Sequence, residues 1–386
     1  MTNKCKSPWV GVLVELNGSV KSCCSGTYYW GNLHDNTIEE IINSPKVINL
    51  KQQIIEDQEV DYCSNCRKDE KVSGSSQRGY YDRFTASDEL LNSATEFKLR
   101  NIDIRWNALC NLNCVYCNEF SSTQWQKYKN IPIESARRSY YDHVLEYINT
   151  NSEGLESILL VGGEPLMHIQ NKHLLESVST GLPINIITNL SSDLKRCPVF
   201  DVLRTMTNVG WDVSLETVGS RFDYVRHGAN WDRIVNNITT LKDLPGHYIV
   251  LFPVYCIYSA TNLLELYEFA YEHNIDLHLQ LLSYPDFLTV TSFGPKVKQR
   301  AIDEIDRVLA LPYIDKFDQG ATKIFLETMR NTITSTNNKQ HCGREFLTWC
   351  KTYEQQYASD VPSFDTLWPE LYELINNDLA EIVLEY

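Results

Sequence analysis

At 386 residues the chain is too long for one small domain, and about 150 residues per domain suggests two or three. Its hydrophobic share of 43% and charged share of 22% exclude a disordered chain, and no run of about 18 apolar residues offers a membrane span. Lys and Arg number 35 against 50 Asp and Glu; the net charge of −15 repels phosphate backbones and makes nucleic acid a poor partner.

Met1-Thr2-Asn3-Lys4-Cys5 opens no apolar signal-peptide core, so the sequence reads as cytoplasmic. The first expected element is a strand over 9–14, turned back at Asn17-Gly18 into a second strand. Thr37-Ile38-Glu39-Glu40 is a capping-box pattern, and it starts a helix with apolar positions at Ile41, Ile42, Val47 and Leu50. Between residues 72 and 95 the chain turns polar, around Ser73-Gly74-Ser75-Ser76, and a domain boundary is placed near residue 90.

Strand and helix patterns then alternate. Ile102, Ile104 and Trp106 alternate with polar neighbours, and apolar runs follow at 158–161, 184–187, 213–215, 249–255 and 277–282. Helical stretches such as 140–148 and 263–270 lie between them. Six strands separated by helices imply βαβ units, hence a parallel sheet or incomplete barrel whose active residues stand at the carboxyl ends of its strands. After about residue 295 the patterns are helical only, with Trp349, Tyr353 and Trp368 as packing residues. The expected fold is α/β: a partial (β/α)6 TIM-like barrel over 91–295, a small N-terminal α+β cluster-binding domain over 1–90, and a helical C-terminal extension over 296–386.

The twelve cysteines carry the chemical signal. Without a secretory signal they should be reduced, so grouped cysteines point to metal binding or redox chemistry before disulfides. Cys110, Cys114 and Cys117 follow the first strand of the alternating region. Such a loop can place three thiolates on three corners of an iron-sulfur cluster and leave the fourth iron open. A zinc site is the plain alternative, although zinc usually takes paired C-x2-C knuckles and a fourth ligand.

The triplet with its penultimate Tyr116 resembles the C-x3-C-x-aromatic-C signature of the radical S-adenosylmethionine enzymes. Gly162-Gly163-Glu164-Pro165, at the end of the second strand, resembles that family's glycine-rich turn toward the methionyl amino group. By the same resemblance Asn189, Ser214 and Glu216 at later strand ends correspond to residues that hold the ribose and methionyl groups, and Arg226 to a partner of the cofactor carboxylate. The plain readings of these residues are helix caps for Asn189 and Ser214 and a surface ion pair for Arg226. The resemblance implies that S-adenosylmethionine binds the open iron of a 4Fe–4S cluster, and that reductive cleavage yields a 5'-deoxyadenosyl radical, which takes a hydrogen atom from substrate. It also implies an electron donor such as flavodoxin or ferredoxin.

A second set comprises Cys5, then twelve residues, Gly18, then four residues, Cys23, completed by Cys63-x2-Cys66. Four thiolates close a site, for zinc as well as for iron and sulfide, and either Cys23 or the adjacent Cys24 can point inward. With Gly31-Asn32-Leu33 the set resembles the auxiliary-cluster module called twitch, the shortened relative of the SPASM domain. Those modules ordinarily follow the radical core, whereas this one precedes it. The implied auxiliary cluster is iron-sulfur, 4Fe–4S by analogy. The family modifies peptide or protein side chains, or dehydrogenates small cyclic alcohols; a peptide is the first expectation here. The competing classes are a non-catalytic iron-sulfur or zinc protein and, against the charge of −15, an RNA-modifying enzyme. Cys197 and Cys256 read as core residues, and Cys342 and Cys350 as structural.

Overall fold

The computed structural model describes residues 5–73, 76–132, 138–282, 284–336, 341–357 and 359–384. Its centre is a mostly parallel sheet built from β1 (Gly11–Val14), β2 (Ser19–Lys21), β3 (Gly31–Asn32), β4 (Asn101–Ile104), β5 (Ser157–Leu160), β6 (Ile184–Thr188), β7 (Val209–Val213), β8 (His247–Leu251) and β10 (Asp276–Leu277). The order across the sheet is β10-β8-β7-β6-β5-β4-β1-β2-β3. All neighbours from β10 to β1 are parallel, with helices crossing between them, while β1, β2 and β3 pair antiparallel. This is the expected α/β partial barrel, with a helical C-terminal region.

The N-terminal segment enters that sheet directly. β1 runs parallel to β4, with Gly11, Val12, Leu13 and Val14 opposite Asn101, Ile102, Asp103 and Ile104. All four β1 residues are buried, which suits a strand covered on both faces. The sheet therefore continues across the boundary placed near residue 90. Trp9 and Val10, read as strand, belong to a helical turn that Pro8 opens. The apolar run 249–255 breaks at Pro253, which has no amide hydrogen to donate, and its end becomes β9 (Val254–Tyr255), paired with β11 (Gln280–Leu281). The capping box at Thr37 forms with both of its hydrogen bonds.

Burial alternates along the middle strands. Ile158, Leu160, Ile184, Ile186, Val209, Trp211 and Val213 are buried beneath helices. The intervening Leu159, Asn185, Ile187 and Asp212 are half-buried, and Tyr248 is exposed. One face is thus packed and the other, concave face is open. Across it the Tyr248 hydroxyl donates to Asn185 Oδ1 at 2.8 Å, passing over Gly210, where a Cβ would lie 2.4 Å from the phenol oxygen.

The C-terminal helices form a second core with the loops at the carboxyl ends of the strands. Helix Gly343–Gln356 stacks Trp349 on Trp125 and buries Tyr353 between Trp125 and Tyr224. Trp368 donates its indole hydrogen to the Tyr258 carbonyl at 3.1 Å.

Candidate active site and auxiliary thiol site

The loop after β4 carries Cys110, Cys114 and Cys117. A loop this irregular has carbonyls that no strand partner satisfies, and buried ones must find other donors. Here they do. The hydroxyls of Thr123, Ser122 and Tyr353 donate to the carbonyls of Cys110, Leu112 and Asn113 at 3.0, 2.6 and 2.9 Å, and the Trp125 indole donates to that of Cys114 at 3.1 Å. The stretch 225–228 lies alongside: Asn113 and Val115 donate their amides to the carbonyls of His227 and Val225. Gly228, at φ +95°, permits this approach, since a Cβ there would lie 3.2 Å from the Asn111 carbonyl oxygen.

Gly162-Gly163-Glu164-Pro165 packs on the entry to the same loop. Gly163 and Glu164 donate their amides to the carbonyls of Asn107 and Leu109, and a Cβ on Gly163 would fall 2.3 Å from the Leu109 oxygen. The second glycine is thus required by contact of backbone with backbone. Glu164 is fully buried, and burial pushes its carboxyl up. It accepts hydrogen bonds from the Thr188 hydroxyl, the Asn189 amide and the Leu166 amide at 2.6, 2.8 and 3.1 Å, so it clamps the ends of β5 and β6 together.

The expected cofactor contacts gather at this rim, several with their polar groups already engaged. Arg226 forms a bidentate pair with Glu216, both contacts at 2.7 Å, and its free fork position points Nη1 at Cys114 Sγ at 3.8 Å. Burial alone would lower the guanidinium, but Glu216 outweighs it and holds the charge. The Arg226 guanidinium lies 5.5 Å from the centre of the Tyr116 ring. Asn189 directs Nδ2 at Cys110 Sγ at 3.8 Å. Ser214 follows β7 and donates its amide to the Thr188 carbonyl. Burial pushes the Cys110 thiol up to about 11 and raises Cys114 and Cys117 as well. The donor set is thiols only, at one open rim, with hydrogen-bond donors aimed at two of the sulfurs; it fits three corners of an iron-sulfur cluster.

Cys5, Cys23, Cys63 and Cys66 line a single cavity, walled also by Tyr62, Tyr81, Arg67 and Arg78. Cys63 ends a 3₁₀ turn and Cys66 lies in the first turn of helix Ser64–Ser73, which aims both thiols at the hairpin. Burial raises Cys5 and Cys23 and pushes Cys63 up to about 12, and each is further raised by its fellow cysteines. Cys24 stands outside this cavity, exposed and toward Asp103 and Arg105. Among the described residues no three Cys, His, Asp or Glu groups are close enough to hold a single ion. A tetrahedral zinc would draw its thiolates to about 2.3 Å; a cluster spreads them wider, and a four-thiol cavity fits one.

The two thiol sets occupy opposite ends of the sheet. β2 runs antiparallel, so Cys23 falls level with Gly11 and Asn101, whereas Cys110 follows the carboxyl end of β4. From Asn101 to Ile104 is about 10 Å along β4 at about 3.3 Å per residue, and Cys110 lies six residues beyond.

Residues 106–270 match the Radical SAM superfamily profile. The chain carries a radical SAM core. Residues 5–67 match an iron-sulfur cluster-binding domain, SPASM, so the core is preceded by a SPASM domain. A radical SAM core implies a 4Fe–4S cluster with S-adenosylmethionine, and a SPASM domain implies auxiliary iron-sulfur clusters. The core resembles solved structures at low identity. Streptococcus suis SuiB bound to precursor peptide SuiA is 17% identical, with a TM-score of 0.40 over 66% of this chain and 62% of that one. anSMEcpe with bound AdoMet is 16% identical, with a TM-score of 0.39 over 54% of this chain and 60% of that one. TYW1 with a lysine-pyruvate adduct is 12% identical, with a TM-score of 0.36 over 54% and 73%. The chain thus spans less than two thirds of the length of SuiB and anSMEcpe. No curated protein matches it.

The sequence marks Tyr353 as a packing residue but not as a brace of the radical SAM loop, and it does not mark Ser122, Thr123 or Trp125. Only Ser121-Ser122-Thr123, a run of helix-capping residues, offered a signal.

Proposed function

We propose that the chain abstracts hydrogen from a peptide or protein side chain by radical S-adenosylmethionine chemistry, with the auxiliary cluster accepting an electron. The observation that carries this is the Cys110 loop: three thiols, Cys110 and Cys114 buried and Cys117 half-buried, fixed by four bonded carbonyls, with no fourth cysteine between residues 105 and 122. A 4Fe–4S cluster with S-adenosylmethionine, when bound there, supplies one-electron cleavage of the sulfonium to a 5'-deoxyadenosyl radical.

The chain's own residues hold and orient. Cys110, Cys114 and Cys117 ligate; Asn189 and Arg226 donate toward two of the sulfurs. Gly162, Gly163, Pro165, Tyr116 and Ser214 form the rim that receives S-adenosylmethionine, while Glu164 and the Glu216–Arg226 pair fix that rim in place. Cys5, Cys23, Cys63 and Cys66 ligate the auxiliary cluster. The segment 1–90 serves the auxiliary cluster, 91–295 the radical step, and 296–386 braces the loop. A low-potential donor such as flavodoxin or ferredoxin supplies the electron.

The open face across β5 to β8 supports a peptide. Three strand spacings of about 4.8 Å make it about 14 Å wide, room for an extended side chain and its flanking backbone. The test is anaerobic reconstitution with iron and sulfide, followed by assay of 5'-deoxyadenosine in the presence of peptides or of small cyclic alcohols. Stimulation by peptides is expected. Stimulation by the alcohols alone overturns the peptide assignment, and absence of cleavage by a fully iron-loaded protein overturns the radical one.

A further inference from the structure

Strand partners across the open face fall into rows. Ile187, Asp212, Val250 and Asp276 lie in register in one row. Two residues further along, Ser214, Phe252 and His278 continue the ladder at the rim, through amide bonds to the carbonyls of Thr188, Val213 and Leu251. Asp212 therefore shares a face with Ser214 and sits one layer beneath it, about 7 Å down the strand.

This carboxylate is half-buried between two apolar neighbours, Ile187 and Val250. Among the described residues no lysine, arginine or hydrogen-bond donor pairs with it. The titratable groups near it are His278, Tyr248 and, in its own row, Asp276; the Tyr248 hydroxyl already donates to Asn185. Of the cations elsewhere on this face, Arg105 and Lys21 are paired with Asp103 and Glu15, and Arg83, near Tyr248, donates to the Tyr80 hydroxyl at 2.7 Å. Burial pushes the Asp212 carboxyl up to about 6, with His278 opposing. A carboxylate between apolar walls, opposed only by His278, carries a cost that an incoming cation removes.

We propose that Asp212 anchors a cationic side chain of the substrate, a lysine ammonium or arginine guanidinium on a peptide, on the open face beneath the cysteine loop. The proposal rests on the peptide reading of the site and names the chemistry that the face selects. A net charge of −15 draws basic peptides toward the protein, and Asp212 gives that attraction a single point of attachment inside.

The experiment uses the reconstituted full chain with S-adenosylmethionine and four fluorescently labelled peptides that differ at one central residue: lysine, arginine, acetyl-lysine or glutamate. Anisotropy should show the lysine or arginine peptide bound about tenfold more tightly than acetyl-lysine, equivalent to about 1.4 kcal/mol. Asp212→Asn should abolish the preference, and Asp212→Glu, which keeps the charge, should retain part of it. The proposal is overturned if Asp212→Asn discriminates as the parent does, if the parent prefers acetyl-lysine or glutamate, or if it binds none of the four. Cleavage of S-adenosylmethionine, assayed on the same preparations, separates failure of the anchor from failure of the radical assignment.

Discussion

The Cys110 loop and the auxiliary cavity present thiols in contrasting surroundings. The loop stands at the carboxyl rim, its carbonyls bonded by side chains from residues as distant as Tyr353, and its sulfurs approached by Asn189 and Arg226. The auxiliary thiols sit at the amino ends of the parallel strands, against Tyr62 and Tyr81, whose hydroxyls turn to Ser22. Hydrogen bonds and positive charge near sulfur raise the potential of a cluster, and burial favours the less charged state. The difference teaches that an open site needs its protein frame fixed from many sides, while a closed four-thiol site is held by its own ligands.

The sharpest test of that contrast removes ligands. Cys110→Ala should reduce 5'-deoxyadenosine formation to background. The double change Cys63→Ala with Cys66→Ala should lose the iron of one cluster and the oxidised product, yet keep cleavage of S-adenosylmethionine. Equal loss of cleavage in both would break the division of labour.

Next in size is Arg226→Met. It strands the fully buried Glu216 without its partner, and breaking a buried pair costs about 3–5 kcal/mol. Denaturant unfolding should show this, with iron loading lost first at the Cys110 loop. If the auxiliary cluster is lost equally, the two sites are more tightly coupled than their separation implies.

A smaller effect is expected at Asp212, which lies between the two levels. Its folded-state proton affinity is raised from 3.8 to about 6, so between those values the folded chain holds a proton that the unfolded chain has released. Stability therefore falls as pH rises through this window and stays reduced above it. Asp212→Asn carries no such penalty. The full shift corresponds to about 3 kcal/mol, but the carboxyl is only half-buried and water screens it, so the variant should be more stable than the parent by about 1–2 kcal/mol at neutral pH, with the gap closing below about pH 4. A constant gap across a pH series of melts would refute the assignment. Smallest is Tyr353→Phe, which deletes one buried hydrogen bond to the loop at a cost of about 1 kcal/mol, while auxiliary iron content stays unchanged.

The thiol ligands were readable because cluster chemistry demands fixed residue types at short spacing. Glu164 and Arg226 were readable as functional positions, but their engagement was not. The partner of Arg226 is ten residues back on another part of the rim, and nothing in a linear string pairs them. Asp212 was hidden in Val209–Val213, where one acidic residue in an apolar strand gives no sign of which face it takes until the register is known. The opposite-end placement of the thiol sets depended on β2 turning back along β1 and on β1 pairing with β4, whose partners Gly11 and Asn101 are 90 positions apart. Tyr353 belongs to no motif; its role exists only through a contact with Asn113 across 240 residues.

That last contact has a consequence for biosynthesis. Every described residue that lines the auxiliary cavity lies within the first 81 positions, so it can close early as the chain leaves the ribosome. The Cys110 loop cannot take its final form until helix Gly343–Gln356 emerges, on the order of tens of seconds later at about 5–20 residues per second. Metal delivery is therefore expected in a fixed order, with the auxiliary centre filled on the nascent chain and the radical centre only after release.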